Sequence, residues 1–371
     1  MSLSKKKHVC VIYNYAQHYR ENIFVKLNEC FEVDFYFGDH YRGIKKLDYE
    51  LLTNVTEVKN IQIFGTNFYF QPLLTRALKD KYEVFIILGD PHCISSWIVL
   101  FYAKLKSKKS FLWTHGWYGK ENTVKKILKK TFFKLASGVF LYGNYAKKLM
   151  LKQDFKESDL KVIYNSLDYD RQLTFRNSCS YNRVFQDHFN NQNKNLIFIG
   201  RLTKIKRLDM ALEALDYLNA EKPCYNLTII GEGEMKEELK AKSEKLNITK
   251  NVWFYGSSYN EQEISNMIYN ADLCISPGNV GLTAMHSMMY GTPVITHDNF
   301  MFQVPEFEAI VQDETGSFFE FNNSLSLASQ ISSWFNRNSN RDEIRENCFR
   351  IIDKYYNPYF QIEIIKNAIL K

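Results

Sequence analysis

Apolar residues fall along this chain in short unbroken runs, separated by stretches in which they recur at helical spacing. In the first half the runs are HVCVIY (8–13), VDFYFG (33–38), VFIILG (84–89), SFLWTH (110–115) and GVFLYG (138–143), with a helical pattern near 20–29. In the second they are NLIFIG (195–200), LTIIG (227–231), VWFYG (252–256), LCISPG (273–278) and PVITHD (293–298). Runs of this length without polar alternation suit strands covered on both faces, and strands alternating with helices build βαβ units and parallel sheets. Residues 171–193, polar and rich in Asn, interrupt the pattern and read as a linker. The expected architecture is therefore α/β, with two Rossmann-like domains facing each other across a cleft. Their expected bounds are 1–180 and 181–356, and a last helix over 357–371 is expected to pack back on the first domain.

Composition agrees with that division and narrows the setting. A chain of 371 residues exceeds one ordinary core. Its seven cysteines are odd in number, scattered and free of any CxxC pair, which favours reduced thiols in a cytoplasmic protein. No apolar run approaches the roughly 18 residues of a membrane span, and the first residues lack a signal-peptide layout. The charge is uneven. Residues 1–180 hold 29 Lys and Arg against 17 Asp and Glu, a net +12, whereas 181–371 hold 19 against 24, a net −5. The first half should face something anionic. Residues 124–135, VKKILKKTFFKL, read as a basic amphipathic helix suited equally to an anionic membrane surface or to docking on its own domain. Nucleic acid is not expected, because the lysines are not interleaved with a stacking platform.

The candidate chemistry lies in loops that follow strands, where doubly wound sheets bind their ligands. In GRLTKIK (200–206), Arg201 and Lys206 stand at the head of a helix, where charge and backbone amides together hold phosphate oxygens. The pair of glycines in IIGEGE (229–234) is weak evidence by itself. In SPGNVGLTAMHSMMYGTPVI (276–295), Gly278 and Gly281 permit close backbone approach, and Gly281, Leu282 and Thr283 open a helix whose amides can meet an anion. In the first half, YNYAQHYRENIF (13–24) runs from the first strand into a helix. There His18 and Arg20 suit an anionic acceptor or donor phosphates.

The order GRLTKIK, LTIIGEGE, VWFYG, YNADLCISPG, GLTAMHSMMYGTPVI and VPEFEAIVQDETGSFF resembles the family 4 retaining glycosyltransferases of the GT-B fold, of the bacterial surface-polysaccharide type. The likeness is strong over about 195–320 and weaker through WTHG (113–116), LYGNYAKKL (141–149) and KVIYNSLD (161–168). It implies a sugar transfer from a nucleotide-diphosphate donor, with a UDP-sugar preferred and a GDP-sugar next, to a hydroxyl of a lipid-linked or polysaccharide acceptor. Retention of configuration and no metal requirement are implied too, and the sequence has no DxD triplet.

By the same resemblance, Arg201 and Lys206 would hold the donor diphosphate and His115 would lie near the reacting sugar. The amides of Gly281, Leu282 and Thr283 would cradle sugar and phosphates. Tyr255, Gly256 and Ser257 would line the base, and Glu308 would fall where the family often has a Glu after a Pro. The usual pair of glutamates is replaced by Gly278 and His286; Asn279 would take over part of the first role and His286 would meet a ribose hydroxyl. Two other readings stay open, a nucleotide-sugar epimerase and a non-catalytic GT-B module that binds a sugar nucleotide or assembles a complex without turnover.

Overall fold

The structure is a computed structural model that describes residues 6–39, 45–221 and 224–371. It contains two compact units, one formed by 1–168 with 357–371 and the other by 169–356. The first unit holds strands β1 (His8–Tyr13), β2 (Glu32–Gly38), β3 (Val55–Val58), β4 (Ile61–Gln62), β5 (Tyr69–Phe70), β6 (Val84–Leu88), β7 (Lys109–Thr114), β8 (Gly138–Leu141) and β9 (Leu160–Val162). Seven of these form a parallel sheet in the order β3-β2-β1-β6-β7-β8-β9, and β4 pairs antiparallel with β5 as a separate hairpin.

The sequence of β1 explains why that sheet is covered on both faces. Val9, Val11 and Tyr13 enter one buried cluster with Phe24, Phe35 and Ile365, while Cys10 and Ile12 enter another with Tyr36, Phe85 and Leu112. Neighbouring residues of a strand point to opposite faces, so a run that is apolar at every position needs a layer of helices on each side. The closing helix, Pro358–Leu370, belongs to one of those layers. Asn357 caps it by accepting from the Phe360 amide at 2.9 Å, Pro358 opens it, and Ile362, Ile365 and Ile369 are buried in the first cluster.

The second unit holds β10 (Lys194–Ile199), β11 (Tyr225–Ile230), β12 (Val252–Gly256), β13 (Leu273–Ser276), β14 (Val294–His297) and β15 (Gly316–Phe319), parallel in the order β12-β11-β10-β13-β14-β15. The stretch read as a linker contains two helices, Tyr169–Ser178 and Val184–Phe189. The first of them is held to its unit by a two-pronged pair of Arg176 with Asp353, both contacts at 2.9 Å. The units therefore part after Asp168, earlier than the polar composition indicated, because that polarity serves ion pairs and hydrogen bonds on a packed helix.

Candidate active site

Each sheet reverses its strand order once, between β1 and β6 in the first unit and between β10 and β13 in the second. Connections leave such a pair of strands in opposite directions and open a crevice above the carboxyl ends. Most of the candidate residues lie at or beside these two places, while Tyr255, Gly256 and Ser257 lie at the edge strand β12.

In the second unit the loops after β10 and β13 touch. Lys206 ends a short turn, Lys204–Lys206, and its ammonium donates to the carbonyls of Asn279 at 2.7 Å and Val280 at 3.3 Å. The Gly278 amide returns a bond to the Lys206 carbonyl at 3.0 Å. A Cβ on Gly278 would lie 1.9 Å from the Ile205 carbonyl oxygen, so this position has no room for a side chain. Gly281 has φ +59° and opens the helix Leu282–Met289; a Cβ there would stand 3.6 Å from the Lys206 ammonium. The Leu282 and Thr283 amides open that helix without a backbone acceptor, close to the Gly281 turn beside the ammonium. Gln303, buried, fixes the loop by accepting from the Val280 amide at 2.9 Å and donating to Thr296 at 2.8 Å. Thr283 spends its hydroxyl on the Ile199 carbonyl at 2.9 Å, which leaves its amide for a ligand.

Lys206 is shifted as well as placed. Burial pushes its pKa down to about 8, with Glu306 opposing and the Arg201 guanidinium reinforcing the shift. Arg201 is exposed just past β10. Two cations close enough to disturb one another, beside helix-opening amides, form a site that favours an anion. Glu306 is buried on the turn Pro305–Ala309, and sequence reasoning missed it as the carboxylate that steadies Lys206; Glu308 lies on the same turn and is less buried.

His286 sits on the helix Leu282–Met289 with Nε2 2.9 Å from Glu261 Oε1. Tyr290 donates to the same oxygen and Gln172 adds a bond at 3.1 Å. Burial alone would raise the Glu261 carboxyl, yet these donors, His286 foremost, hold it down to about 2. Glu261 opens the helix Glu261–Asn270 behind the cap Asn260, so its sequence signature is that of an ordinary first-turn acid. Tyr255, Gly256 and Ser257 follow at the end of the edge strand β12, where Tyr255 donates to Glu263.

The first unit carries a pocket of about 850 Å³ at its own reversal. Asn14, Gln17 and Arg20 line it from the β1 loop, Asp90 and His92 from the β6 loop, and His115 from the β7 loop. Arg20 is buried and donates to the Tyr142 hydroxyl. His18 is exposed and bonded to the Lys45 carbonyl at 3.2 Å; it is not among the residues that line the pocket. Burial pushes His115 down to about 4, helped by the charges of Arg20 and Lys129, so the imidazole is neutral at pH 7. The helix Thr123–Phe133 buries Phe132 and Phe133 and turns Lys125, Leu128 and Lys129 into this pocket, while Val124 and Ile127 remain exposed.

Residues 182–350 match the family model described as Glycosyl transferases group 1. The match covers most of the second unit. Over 310 residues the chain is 26% identical to an uncharacterized 41.2 kDa protein in the cps region of Klebsiella pneumoniae, covering 79% of this chain and 76% of that protein. Among solved structures, Alr3699/HepE of Anabaena in complex with UDP superposes with TM-score 0.72 at 13% identity, over 98% of this chain and 99% of the other. The lipopolysaccharide outer core galactosyltransferase WaaB superposes with TM-score 0.70 at 16% identity, over 98% and 99%. The chain has the GT-B fold with two Rossmann-like domains, and fold and domain together support a nucleotide-sugar glycosyltransferase.

Proposed function

We propose that this glycosyltransferase moves a sugar from a nucleotide-diphosphate donor, preferably a UDP-sugar, to a hydroxyl of a lipid-linked or polysaccharide acceptor with retention of configuration. The observation that carries the reading is the pair Arg201 and Lys206 beside the opening amides of the helix Leu282–Met289. Breaking the sugar–phosphate bond places negative charge on the leaving diphosphate, and fixed donors aimed there lower the barrier. Attack by the acceptor on the leaving-group face needs no carboxylate nucleophile, so a Gly at 278 is compatible with the chemistry. Asn279 lies on the same loop, its carbonyl held by Lys206. Glu261 occupies one ring nitrogen of His286, which leaves Nδ1 for a ribose hydroxyl. The complex of HepE with UDP and the action of WaaB as a lipopolysaccharide outer core galactosyltransferase favour this donor and this kind of acceptor.

A screen of UDP, GDP, ADP, CMP and dTDP with their sugar conjugates, by thermal shift and calorimetry, tests the donor. UDP should stabilise the protein, and His286→Ala should weaken it by roughly tenfold, the value of one good hydrogen bond to a ligand. If none of these nucleotides binds, the non-catalytic module replaces the transferase. Conversion of the donor sugar to its epimer without transfer would instead establish the epimerase.

We further infer that the acceptor side of the protein meets the anionic inner face of the membrane. Among the described residues no helix is long and apolar enough to cross a bilayer. Exposed Val124 and Ile127 lie among the lysines of the helix Thr123–Phe133, and the neighbouring hairpin leaves Ile61 half exposed and Phe64 fully exposed. Both segments supply pocket residues, Lys125 from one and Gln62 from the other. Lysines near an anionic surface contribute roughly 1 kcal/mol each, so Lys126→Gln with Lys130→Gln should lower binding to anionic vesicles roughly 30-fold. Lys129 is unsuitable for this test because it is buried against Glu121 at 2.8 Å and the Gly116 carbonyl at 2.7 Å, whereas Lys130 pairs with the exposed Asp154. Vesicle binding that ignores both substitutions would remove the membrane role.

A further inference from the structure

Arg20 is a guanidinium only 7% exposed, and it is always charged. Its one hydrogen bond runs from Nη2 to the Tyr142 hydroxyl, while Nε and Nη1 are enclosed with no acceptor. The titratable groups that act on it are the hydroxyls of Tyr142, Tyr13 and Tyr19, with the His115 imidazole beside them, and among the described residues it forms no ion pair with a carboxylate. Aromatic faces surround it, with Tyr13 at 5.4 Å and Trp113 and Tyr142 each at 5.3 Å. Rings offset part of the cost of burying the charge, but they leave the N–H fork unpaired. Asp90, the carboxylate that lines the same pocket, is engaged by Tyr69 at 3.1 Å and His92 at 2.9 Å.

The same loop leaves a second, opposite deficiency. Asn14 Oδ1 and Gln17 Oε1 are enclosed without a donor, and His115 Nδ1 is enclosed without a partner. A buried guanidinium fork requires an oxyanion, and enclosed amide oxygens require hydroxyl donors. A sugar that bears an acid group supplies both on one rigid ring.

We propose that the pocket of the first unit binds an acidic sugar residue of the acceptor, its carboxylate or phosphate on Arg20 and its hydroxyls on Asn14 and Gln17. The inference rests on the transferase reading above and adds the acceptor's chemical class. The anion lies next to His115, whose ring centre is 4.8 Å from that of Tyr142, so it orients the acceptor beside the histidine assigned to the reacting sugar. Arg20 is then a specificity residue. A neutral sugar would leave the guanidinium fork unpaired and bind less well.

The test uses the full chain, with D-glucuronate, D-glucose 1-phosphate and D-glucose as probes, titrated by ligand-observed NMR with UDP present. Wild-type protein should bind at least one of the two acidic sugars tenfold or more tighter than glucose, and which one binds identifies carboxylate or phosphate as the source. Arg20→Lys keeps the charge and loses the fork, so it should weaken that binding roughly 10- to 100-fold while UDP affinity stays within twofold. Equal affinity of wild type for glucose and both acids overturns the proposal without recourse to any variant. An unchanged acidic-sugar affinity in Arg20→Lys, with its melting curve intact, overturns it too. Loss of UDP affinity in step with the acid would assign Arg20 to the donor and overturn the acceptor role. Failure of wild type to bind UDP at all would instead refute the transferase reading.

Discussion

Replacing Lys206 with alanine should lower turnover roughly 10²- to 10³-fold, the loss expected when one fixed donor to developing negative charge is removed. In the proposed reading this ammonium meets the leaving diphosphate; it is bonded to the carbonyls of Asn279 and Val280 and lies 3.6 Å from the Cβ position of Gly281. Lys206→Met should cost as much, which separates the loss of charge from the loss of packing volume. Melting curves of both variants should stay close to wild type, and turnover unchanged in either would remove the diphosphate role.

The same residue carries a pH signature whose direction is fixed by its environment. A base with pKa about 8 in the folded protein and about 10.5 in the unfolded chain binds fewer protons when folded between those values, so its contribution to stability rises with pH across that window. A bound diphosphate reverses the bias by favouring the ammonium. UDP affinity should therefore be at its maximum below about pH 8 and fall above it, approaching tenfold per pH unit, with proton uptake on binding visible in buffers of different ionisation enthalpy. Lys206→Arg should flatten the profile. An affinity independent of pH from 7 to 10 in the wild type would show that no phosphate lies against this ammonium.

Strand positions were legible because buried parallel strands announce themselves as apolar runs. Each of the ten runs read from the sequence overlaps a strand of one of the two large sheets. The missed strands are the short or marginal ones. β3 and β15 are edge strands of the two large sheets, β9 has three residues, and β4 and β5 have two each. The positions of Arg201, Lys206 and the Gly281 turn were legible for a related reason, since each lies on the loop that follows a strand, β10 or β13.

What could not be read was pairing across long separations. Glu261 meets His286 and Gln172, Tyr142 meets Arg20, and the Glu306 charge acts on Lys206. None of these partners lies within a turn of the other in sequence. Local reasoning also treated His18 and Arg20 alike as polar residues at a helix start. Two positions along the chain are enough to put one on the surface and the other under Trp113.

Gly278 shows how a departure from a family pattern acquires a physical cause, and it yields the second large expectation. From sequence alone, Gly278→Glu restores a familiar carboxylate and ought to help. In the structure any Cβ at 278 meets the Ile205 carbonyl oxygen at 1.9 Å and the Lys206 carbonyl carbon at 2.7 Å, both backbone atoms that no rotamer change can move. Even Gly278→Ala must push the Lys204–Lys206 turn away from the loop after β13, breaking the Gly278 amide bond to Lys206 and displacing the ammonium. Overpacking against backbone of this kind costs roughly 3 kcal/mol. For a unit of this size that lowers Tm by about 6–12 °C. UDP affinity should fall together with Tm in Gly278→Ala, and Gly278→Glu should be worse in both. A Glu variant that melts at the wild-type temperature with tighter UDP binding would mean that the two loops separate in solution, and that the vacant carboxylate position is a loss of function with no steric cause.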